Sequence, residues 1–240
     1  MALRHPIIIN EWYHCYNRGV DHRIIFEDPR DYERFMSLLY LCNGADSVRI
    51  SDIKKWNLDS FLSNPAYEQK QKLVELGAYA LMPNHFHLIL QEIQPSGIAL
   101  FMRKVCTGYS MYFNTKRHRS GTLLARPFKS KYIHDDAYLQ LAVPYVLLNP
   151  AALFDSGWKH GEAVVAEIWE RLQKYPYSSL PEFLGQERLE RKIVGSVLPT
   201  YFERIPTLEV MLQNAQEYYQ SNDSFLNPKP KYNDLESLED

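Results

Sequence analysis

At 240 residues with 45% apolar side chains, the chain can bury a sizeable core as one domain with an appendage or as two small domains. Its 27 Lys and Arg against 29 Asp and Glu give a formal charge of −2, which argues against a uniformly basic nucleic-acid binder. The longest apolar stretch, Leu141 to Leu148, is too short to cross a bilayer and contains Pro144. Three widely spaced cysteines, Cys15, Cys42 and Cys106, fit reduced thiols better than a disulfide frame or a zinc site. Ile7-Ile8-Ile9 is no secretion signal, so a soluble cytoplasmic protein is expected.

In chain order, Trp12 to Asn17 reads as a strand ending at Arg18-Gly19. Asp28-Pro29-Arg30-Asp31 supplies a cap and a proline at the first helical position, and Tyr32, Phe35, Met36 and Leu39 follow at helical spacing. Residues 43–71 are polar and broken by Asn64-Pro65, an insertion expected to lay one or two short helices over the core. Ala78 to Leu90 reads as a long strand or hairpin arm with a bend or bulge at Pro83-Asn84. Ser96-Gly97 opens a second long helix, with Ile98, Phe101, Met102, Val105, Tyr109 and Tyr112 on one face, ending near His118 to Gly121. Phe128 to Ile133 alternates like a strand. Asp135-Asp136 caps a helix carrying Tyr138, Leu141, Tyr145 and Leu148. The pattern predicts an α+β fold: a ferredoxin-like sandwich with an antiparallel sheet and helices on one face, plus a small helical C-terminal part. The expected divisions are 1–157, 158–222 and a disordered acidic tail over 223–240, with Tyr175-Pro176-Tyr177-Ser178-Ser179 as an ordered loop.

Two constellations carry chemistry. On a strand, His85 and His87 point the same way, so two imidazoles can face one ion while Phe86, Leu88 and Leu90 pack behind them. On a helix, Tyr145 and Asn149 share a face, offering a hydroxyl and an amide oxygen. The set suits metal-assisted attack by tyrosine on a phosphodiester; the metal would be a divalent ion, and no general base is evident. Between the constellations, Ile93 to His134 contains no acid but eight cations: Arg103, Lys104, Lys116, Arg117, Arg119, Arg126, Lys129 and Lys131. Such a run can line the path of a polyanion or serve as a solvated face. The structural alternatives are strand histidines satisfied by the backbone, a core tyrosine among 17, and a helix C-cap at Asn149. Tyr138 is a rival nucleophile, but no amide follows it at four residues. Arg18 is a further candidate DNA contact or salt-bridge partner, and Tyr13, Tyr16, Phe128 and Tyr132 could stack on bases.

Met82-Pro83-Asn84-His85-Phe86-His87, Arg126-Pro127-Phe128-Lys129-Ser130, Tyr145-Val146-Leu147-Leu148-Asn149-Pro150 and Tyr175-Pro176-Tyr177-Ser178-Ser179, in this order, resemble the REP-associated tyrosine transposases, relatives of the single-tyrosine HUH transposases. The segment from Tyr13-His14 to Phe35 is similar to that family's opening, so the likeness covers roughly residues 8 to 185. The resemblance implies a ferredoxin-like domain that nicks and joins single-stranded DNA, often beside a hairpin, through a 5′-phosphotyrosine link. Carried onto this chain, it implies Tyr145 as nucleophile and His85, His87 and Asn149 as ligands of Mg²⁺ or Mn²⁺, acting as monomer or homodimer. Pro144 and Ala151-Ala152-Leu153 depart from the family pattern, and the proline is expected to kink the tyrosine's helix. The alternatives are a domesticated module that binds hairpin DNA without cutting it, and a phosphohydrolase of small nucleotides in which Tyr145 only packs.

Overall fold

The computed structural model describes residues 7–45, 53, 55–155, 157–160 and 165–226. Its elements are β1 (Trp12–Arg18), α1 (Pro29–Leu41), α2 (Leu58–Ser63), β2 (Val74–Met82), β3 (His85–Glu92), α3 (Gly97–Lys116), β4 (Lys129–Ile133), α4 (Asp136–Leu148), α5 (Val165–Gln173), α6 (Leu180–Phe183) and α7 (Leu208–Leu226), with 3-10 turns between several of them. The strands form one antiparallel sheet in the order β2-β3-β1-β4, which is the ferredoxin-like arrangement.

The start of each helix follows from its cap. Asp28 accepts from the amides of Arg30 and Asp31 at the head of α1, with Pro29 behind it. Asp135 accepts from the Tyr138 amide at the head of α4. At α3 the buried Glu92 carboxylate takes the amides of Gly97 (3.1 Å) and Ile98 (2.7 Å), a negative charge at the positive end of a 20-residue helix. Gly97 is required there, since a Cβ would lie 2.1 Å from the Leu73 carbonyl.

Strand alternation divides the core in two. Tyr13, Cys15, Phe86, Leu88 and Leu90 face α1 and α3, with Leu58, Phe61 and Leu62 of α2 closing the same core. Trp12, Tyr16, Ala78, Ala80 and Ile89 face the other way, against α4 and α7. The expected single layer of helices therefore holds for α1 and α3, while the tyrosine helix and the C-terminal helices cover the opposite face. Both faces of the sheet are apolar, so both demand a cover.

Three further expectations are refined. Ala78 to Leu90 is not one arm but a hairpin, β2 and β3 joined at Pro83-Asn84, and the bulge falls between Leu76 and Ala78 instead. The Tyr175–Ser179 segment is stitched to the free edge of β2: Leu81 N–H donates to the Tyr177 carbonyl, Ser179 N–H to the Tyr79 carbonyl, and Tyr79 N–H to Ser179 Oγ, each at 2.9 Å. It protects that edge. Residues 223–226 of the expected tail belong to α7, and the rest of the tail lies outside the described residues.

Pro144 does not break α4, which is helical on both sides of it. Proline removes the amide that would bond the carbonyl of Gln140, and α7 replaces it: Asn214 Nδ2 donates to that carbonyl at 3.1 Å. Asn214→Ala should therefore destabilise the fold by about 1–2 kcal/mol in urea unfolding. In a Pro144→Ala background, where the helix regains its own donor, roughly half of that penalty or more should vanish; equal penalties in the two backgrounds would refute the compensation.

Candidate nucleotidyl-transfer site

The register sets out one face of the sheet residue by residue. Directly paired residues share a face, so Lys129, Tyr16, His87 and Ala80 form one row, Lys131, His14, Ile89 and Ala78 the next, and Arg18 stands beside His85. This is the face that α4 and α7 cover. It brings together the four side chains expected to carry the chemistry. His85 Nε2 is 3.2 Å from Asn149 Oδ1, the rings of His85 and His87 are 5.0 Å apart, and the ring of Tyr145 is 5.7 Å from that of His87.

Asn149 is also the C-cap of α4, its backbone N–H bonded to the Val146 carbonyl, as the structural alternative expects. Tyr138 is tied to Asn222 and is separated from the histidine pair by Tyr218 and His14.

Hydrogen bonding fixes which nitrogen of His85 carries its proton. Asn84 Nδ2 donates to the His22 carbonyl, which turns Asn84 Oδ1 toward His85 Nδ1 at 2.6 Å. Nδ1 must then be the N–H, and Nε2 of the neutral ring is a lone pair facing the Asn149 oxygen. Two acceptors at 3.2 Å have no proton between them, and Asn149 Nδ2 is buried with no partner. A half-turn of the Asn149 amide, placing Nδ2–H against His85 Nε2, would satisfy both groups; a divalent cation between the two lone pairs would also resolve the contact, since adjacent donors about 2.1 Å from one ion lie about 3 Å apart. Among the described residues no three His, Cys, Asp or Glu side chains are grouped to hold an ion. An ion here would rely on two imidazoles and an amide oxygen, an open donor set suited to Mg²⁺ or Mn²⁺ with water or phosphate completing it.

The rings are neutral. Burial pushes His85 down to about 4, offset by its Asn149 contact and reinforced by Lys159, Arg18 and His22. Burial pushes His14 down to about 3 and holds His87 well below the ordinary range, the latter with help from His14, His85 and Lys159. Neutral imidazole is the form that binds metal.

Sequence reasoning missed two residues. His14 of β1 is fully buried, with Nε2 2.8 Å from His87 Nδ1. Lys159, in a 3-10 turn after α4, lies 5.3 Å over the ring of Tyr145. His14 could have been found from the period-2 row it shares with Tyr16; no local signal marks Lys159.

The basic run divides. Lys129 and Lys131 stand on the site face, and burial followed by the charge of Arg18 lowers Lys129. Lys116 is bonded to Asp28 (2.7 Å) and Asp31 (2.5 Å), Arg117 to Glu27, and Arg119 to Asn114 Oδ1 (2.6 Å). These three fasten α3 to the head of α1 and to its own end, on the face away from the histidines. Lys104 donates to the Gly44 carbonyl, Arg103 is exposed on the same helix, and Arg126 is exposed ahead of β4. No described helix is long and apolar enough to cross a membrane.

No family model and no curated protein matches the sequence. Among solved structures, the chain is similar to one described as the structure of the REP associates tyrosine transposase bound to a REP hairpin, with TM-score 0.48 and 14% identity over 86% of this chain and 99% of that one. At that identity and TM-score the likeness by itself establishes neither family nor activity.

Because His14 and His85 ionise less readily folded than unfolded, the unfolded chain gains protons first as pH drops through about 6.5. The stability that the neutral rings confer is complete above that pH and is lost as pH falls toward about 4 for His85 and about 3 for His14. Urea unfolding between pH 7.5 and 4.5 should show stability falling, with up to ~1.4 kcal/mol per pH unit from each ring. His14→Gln should flatten the slope; an unchanged slope would contradict a neutral His14.

Proposed function

We propose that this chain is a transposase-like DNA strand transferase that cuts and rejoins single-stranded or hairpin-bearing DNA with Tyr145 as nucleophile. The observation that carries this reading is the convergence of His85 Nε2 and Asn149 Oδ1, two lone pairs from residues 64 apart, beside a tyrosine one turn before the amide. A phenol, two imidazoles and an amide oxygen on a face flanked by Lys129, Lys131, Lys159 and Arg18 suit a phosphodiester, whose charge needs cations and whose phosphorus needs a nucleophile.

In the first step the Tyr145 oxygen attacks phosphorus, the P–O3′ bond breaks, and the departing 3′-oxygen leaves as a hydroxyl, so the phenol's proton passes out of the phosphotyrosine product. A free 3′-hydroxyl reverses the step by attacking the same phosphorus, with phenolate as leaving group, and no ATP is needed. A Mg²⁺ or Mn²⁺ ion held by His85, His87 and Asn149 would polarise a non-bridging phosphate oxygen. Lys159 over the Tyr145 ring and Lys129 over the Tyr16 ring supply cations for the strand's phosphates.

Tyr145 is 1% exposed, beneath Trp158, Tyr218 and Tyr219. Attack therefore requires part of that cover to move when DNA arrives, as lids do in other enzymes. The same burial favours a second reading, a hairpin-binding module that cuts nothing.

One assay separates the two. Incubated with Mn²⁺ and a labelled hairpin-bearing single strand, the protein should form a denaturant-resistant adduct that Tyr145→Phe abolishes and that His85→Ala or Asn149→Ala slows about 10–100-fold. Adduct at undiminished yield in Tyr145→Phe rules out the nucleophile; a mobility shift without adduct under any divalent ion supports the binding module. In the same mobility assay, Lys129→Ala with Lys131→Ala should weaken binding and reduce its salt dependence, whereas Lys116→Ala should cost stability and leave affinity nearly unchanged.

A further inference from the structure

His87 uses one ring nitrogen inside the protein. Its Nδ1 lies 2.8 Å from His14 Nε2, and His14 Nδ1 lies 3.0 Å from the hydroxyl of Tyr218 on α7. The ring of Tyr218 packs against that of Tyr138 with 5.2 Å between centroids, and the Tyr138 hydroxyl meets both amide atoms of Asn222, 2.9 Å from Oδ1 and 2.7 Å from Nδ2. His14 and Tyr218 are fully buried and Asn222 is nearly so.

The ion reading gives the chain a direction. An ion on His87 Nε2 needs that nitrogen's lone pair, so the ring's proton sits on Nδ1 and is donated to His14 Nε2. His14 then carries its own proton on Nδ1 and donates it to the Tyr218 hydroxyl. Asn222 Nδ2 donates to the Tyr218 carbonyl at 2.8 Å and the Tyr138 hydroxyl donates to Asn222 Oδ1.

We propose that His14 is a positioning residue for the ion site: by accepting from His87 Nδ1–H it holds the ring and leaves Nε2 as the lone pair, with α7 holding His14 in turn through Tyr218. Asn84 imposes the same tautomer on His85 from the opposite side, so both imidazoles present Nε2. Metal-bound histidines are held by such outer hydrogen bonds, whose loss weakens metal binding about 10–100-fold. The ion site is then incomplete without the C-terminal helix, although α7 contributes no ligand. This rests on the reading of His85 and His87 as ion ligands.

The test uses the full chain and Mn²⁺ alone, with affinity measured by electron paramagnetic resonance and calorimetry and tautomers by ¹⁵N NMR of the histidine rings. Wild type should show His87 protonated at Nδ1. His14→Phe should weaken Mn²⁺ about 10–100-fold and mix the His87 tautomers. His14→Gln, whose amide oxygen can still accept from Nδ1–H, should restore most of the affinity, and Tyr218→Phe, with the fold intact by circular dichroism, should fall between. Wild-type affinity in both His14→Phe and Tyr218→Phe, or a wild-type His87 protonated at Nε2, overturns the proposal alone. A wild-type chain that takes up no Mn²⁺ overturns the ion reading, and the proposal with it.

Discussion

Burying His14 and His87, with the half-buried His85 beside them, between a sheet and two helices favours partners for the ring nitrogens, because a buried polar group without one costs as much as the bond it lacks. Much of the arrangement on that face answers this requirement. Asn84 takes His85 Nδ1, His14 takes His87 Nδ1, and Tyr218 takes His14 Nδ1. The remaining contact, His85 Nε2 against Asn149 Oδ1, sets acceptor against acceptor.

The helix α7 serves the site in two distinct ways. Asn214 supplies the hydrogen bond that Pro144 denies to α4, so the segment carrying Tyr145 keeps its helical course. One turn on, Tyr218 meets His14, and a turn beyond that Asn222 donates to the Tyr218 carbonyl. The departures from local rules therefore cluster: a mid-helix proline, an unpartnered amide nitrogen and an acceptor pair all fall within α4 or at its end, beside the proposed nucleophile. Strain of this kind is tolerated where the surrounding structure compensates for it.

Features governed by a local period were legible in the sequence. Histidines two apart on a strand, a tyrosine and an asparagine four apart on a helix, and the capping aspartates at 28 and 135 fell where their spacing put them. Features set by long-range pairing were not. His14 looks like one member of a core strand until Tyr218, 204 residues away, is seen beside it. The basic run is uniform as a string of letters, yet β4 turns Lys129 and Lys131 toward the histidines while Asp28, Asp31 and Glu27 claim Lys116 and Arg117. The cover of the second sheet face depends on α7, whose apolar positions say only that it packs, not where. The donor that replaces the amide Pro144 lacks comes from another helix and was illegible for the same reason.

The strip from Tyr177 to Ser179 bonded along β2 has a consequence for cooperativity. It anchors the later third of the chain to the edge of the sheet through backbone bonds, while Met211, Ala215 and Tyr218 share a core with Trp12 and Ile89. The sheet thus lies between two hydrophobic layers, and the later part of the chain also reaches the α1–α2 side, where Ile193 joins that core and Lys192 Nζ donates to the Leu62 carbonyl. Such a molecule loses its two halves together on melting, not in sequence.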